Sequence, residues 1–248
     1  MDQLQRLSQI VEMTNTMALV TVQDICDTFQ VSRDTARRDL VKLEEQGKIT
    51  RTRGGAVSAT IQTYVQRKEE NGVTKRKLAK AAASYVQNGD VLFMDSSTSV
   101  AALAEFLIEK SLTVVTHSLH IAQCFGNLPR TEIIIPGGRF NPEEQFVYGT
   151  DALAALDRFR ANCFFTGACG LDDGEITAAN LEDALIKQKM MSRARQVFLL
   201  ADHTKINVNY PYKVGHLEEI DILFTDREIS PRLHVSARPK HIQVVGAP

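Results

Sequence analysis

The chain has 248 residues, 44% of them apolar and 24% charged, with a formal net charge of −1. That length suits one large domain or a small one beside a medium one, and the near-neutral balance excludes a protein that coats nucleic acid along its whole surface. No apolar run approaches the roughly 18 residues that a membrane span needs, and the polar, periodic opening "MDQLQRLSQI" is unlike a secretion signal, so a cytoplasmic protein with no membrane partner is expected. Cys26, Cys124, Cys163 and Cys169 form no CxxC pair and no Cys/His zinc spacing. They suit a reducing compartment, and no metal or other cofactor is expected.

At the start, Leu4, Leu7 and Val11 recur at helical spacing over residues 2–13, and "NTMALVT" breaks the pattern. Thr21 with Asp24 resembles a capping box, and Val22, Ile25, Cys26 and Phe29 give the helix behind it one apolar face. After the short "FQV", Ser32 can cap a third helix, 33–46, with Ala36, Leu40 and Leu43 turned inward and Gly47 at its end. "KITRTRGGAV" alternates around a Gly-Gly pair and reads as a tight hairpin.

Three short helices and a hairpin make a winged helix-turn-helix, whose third helix would enter the major groove by its N-terminal end. With Ala36, Leu40 and Leu43 inward, Arg33, Asp34, Arg37 and Arg38 face outward. Between Val31 and Arg53, seven basic residues (Arg33, Arg37, Arg38, Lys42, Lys48, Arg51, Arg53) stand against four acids (Asp34, Asp39, Glu44, Glu45). Arginine can pair bidentately with guanine or clamp phosphate. Arg51 and Arg53 lie two residues apart and leave one face of a strand. The competing reading is a solvated, salt-bridged helix; the cap, the short preceding helix and the basic hairpin together favour DNA. Asp39 is expected to be structural, because phosphate would repel it. The candidate DNA-contacting residues are Ser32, Arg33, Thr35, Arg37, Arg38, Lys42, Arg51 and Arg53.

Residues 58–74 are polar and weakly periodic, which suits a linker between a DNA-binding domain over 1–57 and a second domain over 75–248. Lys75, Arg76, Lys77 and Lys80 open an alanine-rich helix and read as its solvated face. Apolar runs at 91–94, 112–115, 132–135, 163–165, 197–201 and 222–224 read as buried strands, with helices or turns near 98–110, 118–126, 150–157, 180–194 and 216–220. The expected fold of this part is α/β with a mostly parallel sheet.

Ligands of such folds bind beyond the carboxyl ends of the strands. Those ends are polar and small: Asp95, Ser96, Ser97, Thr98 and Ser99 after the first; Thr116, His117 and Ser118 after the second; Gly137, Gly138 and Arg139 after the third; "TGACGLDDG" with Gly167 at the fourth; Asp202, His203, Thr204 and Lys205 after the fifth. A helix starting near Thr98 offers N–H groups to an anion, and Lys205 and Arg139 would neutralise it. No G-x-G-x-x-G and no Walker loop is present, so the expected ligand is small, polyhydroxylated and singly phosphorylated. Taken singly, "DSSTS" is an ordinary helix start, His117 an ordinary polar residue and Cys169 an ordinary core residue. The signal is their repetition at strand ends.

"VSRDTARRDLVKLEEQGKITRTRGGAV" closely resembles the DNA-binding region of DeoR-type bacterial transcriptional repressors, through Thr35-Ala36-Arg37-Arg38-Asp39-Leu40 followed by Leu43, Gly47 and Gly54-Gly55. Thr14 departs, standing where members tend to have an aliphatic residue. Residues 75–245 resemble the effector-binding domain of the same family, which is similar in fold to ribose-5-phosphate isomerase. Its landmarks fall on Gly89-Asp90, Asp95 through Ser99, Thr116-His117-Ser118, Gly137-Gly138, Gly167 with Gly170-Leu171, Glu182, Lys187, and Asp202 with Lys205.

The resemblance implies a repressor of a sugar-metabolism operon, acting as a symmetric dimer or tetramer on double-stranded operator DNA. A phosphorylated sugar would release it, and it would not be an enzyme. It also adds Lys187 to the effector set. Three departures bear on this: Asp95-Ser96-Ser97-Thr98-Ser99 replaces the usual Asp-x-Gly-Thr-Thr, Thr116-His117 replaces Thr-Asn, and Cys169 replaces an aspartate. That aspartate is the position of an acidic active-site residue in the isomerases, so its loss argues against isomerase chemistry. The alternative is an isomerase-like enzyme with an appended DNA-binding domain, using Glu182, Asp95 or Asp202 as base.

Overall fold

The computed structural model describes residues 2–17, 19–52, 54–58, 64–126, 128–228 and 239–246. The chain divides into two compact units, Met1–Gln62 and Thr63–Pro248. No helix among the described residues is long and apolar enough to cross a membrane.

In the first unit, α1 (Gln3–Thr16) starts at Asp2, whose carboxylate accepts from the Gln5 N–H at 2.8 Å. A short strand, β1 (Val20–Thr21), leads into α2 (Val22–Phe29). The capping box is complete: the Thr21 N–H donates to Asp24 Oδ2 at 2.8 Å, and the Asp24 N–H donates to Thr21 Oγ1 at 3.0 Å. Gln30 closes α2 in the left-handed region (φ 53°), and α3 (Arg33–Glu45) begins at Ser32, whose Oγ accepts from the Thr35 N–H at 3.2 Å. The hairpin pairs β2 (Ile49–Thr52) with β3 (Gly55–Ser58). A third strand, hidden in "NTMALVT", completes the sheet: β1 lies on the other edge of β3. This close approach needs glycine, because a Cβ at Gly55 would sit 1.9 Å from the Val20 carbonyl oxygen.

Leu7, Ile10, Ile25, Ala36, Leu40, Leu43, Ile49 and Ala56 form the core. Leu4, expected on the inward face of α1, is 75% exposed. The buried face of α1 includes Arg6, held against Asp39, and runs through Leu7, Ile10 and Thr14 instead.

The second unit opens with α4 (Tyr64–Glu69) and α5 (Gly72–Ala83). The second half of the stretch expected as a linker is therefore helical, and Tyr64 is only 3% exposed. One aromatic in a helix this short leaves no periodicity to read. Residues 59–63 of that stretch lie outside the described residues.

The chain continues through β4 (Val91–Met94), α6 (Thr98–Ala101) with a 3-10 turn over Ala102–Phe106, β5 (Leu112–Thr116), α7 (Leu119–Phe125) and β6 (Thr131–Ile134). A hairpin of β7 (Arg139–Asn141) and β8 (Phe146–Tyr148) precedes α8 (Thr150–Leu156) and β9 (Ala161–Gly167). Then come β10 (Gly170–Asp172), β11 (Glu175–Ala178), α9 (Leu181–Arg193), β12 (Ala194–Leu200), β13 (Tyr212–His216), β14 (Ile222–Thr225) and β15 (His241–Val244).

Seven strands form one sheet in the order β15-β14-β12-β9-β4-β5-β6, every neighbouring pair parallel. The chain starts at β4, winds outward through β5 and β6, then returns to the other side of β4 with β9. The strand order thus reverses between β4 and β9, the place where sheets of this kind set a ligand crevice beyond the strand ends. Alternation along β4 splits the core: Leu92 and Met94 pack with α5, α6 and α7, and Phe93 with α8 and α9. The six expected strands are present. The edge strand β15, the hairpin and the small antiparallel sheet β10-β11-β13 were not anticipated.

Candidate functional site

On the first unit, Arg33, Asp34, Arg37 and Arg38 are exposed on α3 while Ala36, Leu40 and Leu43 are buried. Arg33 Nη2 donates to Gln23 Oε1 of α2 at 2.9 Å, which ties the two helices of the motif. Lys42 is half-buried and donates to Gln3 Oε1 at 3.4 Å. Asp39 is fully buried: its carboxylate accepts from Arg6 Nε at 2.6 Å and from Gln3 Nε2 at 2.9 Å, so it braces α3 against α1. Ser32 and Thr35 are occupied with capping, their hydroxyls 2.9 Å apart. In the wing, Arg51 pairs with Glu44 at 3.3 Å, an exposed contact that phosphate can displace at little cost. Arg53 lies outside the described residues.

On the second unit, the residues beyond β4 and β9 form one buried network. Asp95 is fully buried. Its Oδ1 accepts from the Ser97 N–H at 2.9 Å, and its Oδ2 accepts from Thr166 Oγ1 at 2.8 Å and the Gly167 N–H at 2.9 Å. Lys187 reaches from α9 to Asp95 Oδ2 at 3.2 Å and to Asp183 Oδ2 at 2.8 Å. Asp183 Oδ1 accepts from Ser96 Oγ at 3.1 Å and lies 3.3 Å from His117 Nε2, which donates in the tautomer protonated there. Burial alone would raise the Asp183 carboxyl, but Lys187 and His117 outweigh it and hold it well below the usual carboxylate range. Burial would likewise lower the Lys187 ammonium, and Asp183 and Asp95 outweigh it and raise it. Lys187 therefore fastens the strand end at Asp95 to Asp183 of α9. His117 Nδ1 and Asp202 Oδ2 are buried with no hydrogen-bond partner among the described residues.

Ser97 needs no glycine conformation: its φ is −76°, and its Oγ caps α6 by accepting from the Val100 N–H at 3.3 Å. The requirement has moved across the crevice, where a Cβ at Gly167 would lie 2.6 Å from the Ser97 Cβ and Oγ. The helix expected over 98–110 is four residues of α6 continued as the 3-10 turn, so its dipole contributes less to anion binding than a long helix would. Thr116 and Ser118 are fully buried. Thr116 Oγ1 accepts from the Ser118 N–H at 3.1 Å, and Ser118 Oγ caps α7. Ser99 is also buried.

Above this floor stands a cationic rim. Arg67 pairs with Glu144 at 2.7 Å, and its carbonyl accepts from the Lys75 ammonium and from Thr98 Oγ1 at 3.4 Å. Lys75 is 6% exposed, which corrects the solvated face expected for it. Burial, and then the charge of Lys205, push its ammonium down to about 8. Its place was legible in one respect: Lys75 lies three, four and seven residues before Leu78, Ala79 and Ala82, in line with the buried stripe of α5. Tyr210, pushed up to about 12 by burial and then by Cys169, stands near Arg67. Asp202 caps the turn His203–Lys205, accepting from the Thr204 N–H at 2.9 Å.

Sequence reasoning missed Arg67, Lys75 and Tyr210. It also placed Gly137, Gly138 and Arg139 at the site, where the described contacts of Gly138 and Arg139 run to the facing strand of their hairpin. Arg139 stacks over Tyr148 at 5.6 Å, and a Cβ at Gly138 would lie 2.5 Å from the Tyr148 carbonyl oxygen.

Residues 6–62 match the family model of the DeoR-like helix-turn-helix domain, and residues 70–227 match that of the DeoR C terminal sensor domain. The transcriptional repressor GlcR of Bacillus subtilis (strain 168) is 40% identical over 231 residues, 92% of this chain and 90% of its own length. The glycerol-3-phosphate regulon repressor of Escherichia coli (strain K12) is 30% identical over 231 residues, 91% of this chain and 92% of its own. Among solved structures, ribose 5-phosphate isomerase A of Methanocaldococcus jannaschii aligns with a TM-score of 0.42 at 15% identity over 55% of each chain, too loosely to bear on function.

Proposed function

The chain belongs to the DeoR family of transcriptional repressors, and from that premise we propose that it represses a sugar-metabolism operon and is relieved by a phosphorylated sugar. Arg33, Arg37 and Arg38 read or clamp the operator from α3, with Arg51 and Arg53 following the backbone from the wing. One head makes few contacts, so a dimer or tetramer on paired half-sites supplies the affinity. The effector phosphate is held at the crevice between β4 and β9 by Lys75, Thr98 and Lys205, and its hydroxyls meet the polar strand ends around Ser96 and Asp202. The observation that carries this reading is the pair of cations Lys75 and Lys205, close enough for each to feel the other's charge, beside a carboxylate network that Lys187 partly offsets from within.

Of the three candidate bases of the alternative, isomerase-like reading, Asp95 is engaged by Lys187, Thr166 and Gly167, which speaks against it as a general base. The test is operator binding at fixed salt against a panel of phosphorylated sugars. At least one is expected to weaken it, and Lys205→Ala is expected to abolish that response while sparing operator binding. A panel without effect, or turnover in a coupled isomerase assay, would count against the reading.

A further inference from the structure

Helix α4 is the first element of the sensor unit after the wing strand β3, and the way it is held couples it to the effector crevice. At its start, Tyr64 is 3% exposed with its ring 4.6 Å from that of His120, yet its hydroxyl is buried with no partner among the described residues. At its end, the Arg67 guanidinium pairs with Glu144 through contacts of 2.7 and 3.3 Å. Between these, the Arg67 carbonyl accepts from the Lys75 ammonium and the Thr98 hydroxyl. A cavity of about 470 Å³, lined by Tyr64, Lys68, Lys75, Thr98, His120 and Cys124 among others, leaves one flank of α4 unsupported.

Lys75 and Thr98 are thus both spent on one neutral backbone carbonyl. They are also the donors that an anion in the crevice would use, beside Lys205. The ammonium–carbonyl bond is already charge-assisted, and a phosphate adds the direct attraction of an opposite charge, so a phosphate outcompetes the carbonyl for the ammonium. The unpartnered Tyr64 hydroxyl makes the docked position of α4 costlier still.

We propose that α4 is a regulatory strap, with the Arg67 carbonyl occupying the place of the effector phosphate on Lys75 and Thr98. Effector binding takes both donors, α4 loses two of its restraints, and the change passes along the chain toward the DNA-binding unit. The proposal rests on the reading of Lys75, Thr98 and Lys205 as the effector site. By linkage, anything that loosens α4 tightens effector binding.

The test uses the full chain with glucose 6-phosphate, fructose 6-phosphate, glycerol 3-phosphate and inorganic phosphate. Glu144→Gln releases one hold on α4 without touching Lys75, Thr98 or Lys205. Calorimetry is expected to show the best of these ligands binding it at least about fivefold more tightly than the parent. In the parent chain, ligand is expected to slow hydrogen exchange over residues 95–99 and to speed it over 64–69. Slowing at 95–99 without faster exchange at 64–69 would overturn the strap and leave the effector site standing, as would unchanged or weaker binding by Glu144→Gln. No change in either segment with any of the four ligands would overturn the effector site and the strap together.

Discussion

At Lys75, burial lowers the folded pKa to about 8, with Lys205 and Arg67 pushing the same way and Asp202 and Glu70 opposing. The unfolded chain binds more protons between that value and the ordinary lysine value, so stability rises with pH across that window, and the whole cost is present below it. Lys75→Met is expected to stabilise the sensor unit by roughly 1–2 kcal/mol near neutral pH, with the gain vanishing by about pH 10.5. Thermal melts of parent and variant at both ends of the window check the sign. The same variant should lose the effector response, because function is being bought here with stability. Asp39 is the counterpart on α3. Asp39→Ala leaves Arg6 buried without its partner and is expected to cost about 3–5 kcal/mol, abolishing operator binding through loss of fold. Arg37→Ala is expected to weaken specific binding by about 1–3 kcal/mol with the fold intact. Circular dichroism beside operator titration separates the two. The outward arginines were legible because apolar spacing on α3 leaves them no inward place. The Arg6–Asp39 pair spans 33 positions, and no local pattern announces it.

Among the elements, the loop from β4 to α6 shows how a local rule can be met in a different place. The usual glycine of this loop is Ser97, whose backbone is extended and whose side chain packs onto Gly167 across the crevice. Gly167→Ala alone drives a Cβ to 2.6 Å from Ser97 and is expected to impair effector binding, while Ser97→Gly alone should leave it intact. The double variant should recover most of the loss, giving a coupling of about 1–2 kcal/mol in a double-mutant cycle. Additive effects would mean that the two side chains do not share that space. Strands were readable because buried parallel strands are short apolar runs bounded by turn residues. β1 and β15 escaped because one is two residues long and the other, "HIQV", is half polar. Helix α4 escaped because six residues are too few to show a helical period.

At the level of the whole molecule, we propose that the boundary near residue 62 separates two units that fold and bind independently. A fragment spanning 63–248 is expected to melt cooperatively and to bind the same sugar phosphate as the full chain, without affinity for the operator. A fragment that neither melts cooperatively nor binds would place the boundary elsewhere. The sequence by itself determined the caps of α2 and α3, the inward and outward faces of α3, the strand segments and the polar composition of the strand ends. These follow from interactions between residues a few positions apart, and periodicity records them. Only the tertiary structure decided which strand ends meet. The reversal between β4 and β9 brings Asp95 to Thr166, 71 positions away, and folding α4 onto the sensor unit brings Arg67 to Glu144, 77 positions away. Parallel pairing and buried charge are settled by partners distant in the chain, so the carboxylate network and the contacts that hold Lys75 and Arg67 come into being only when the sheet closes.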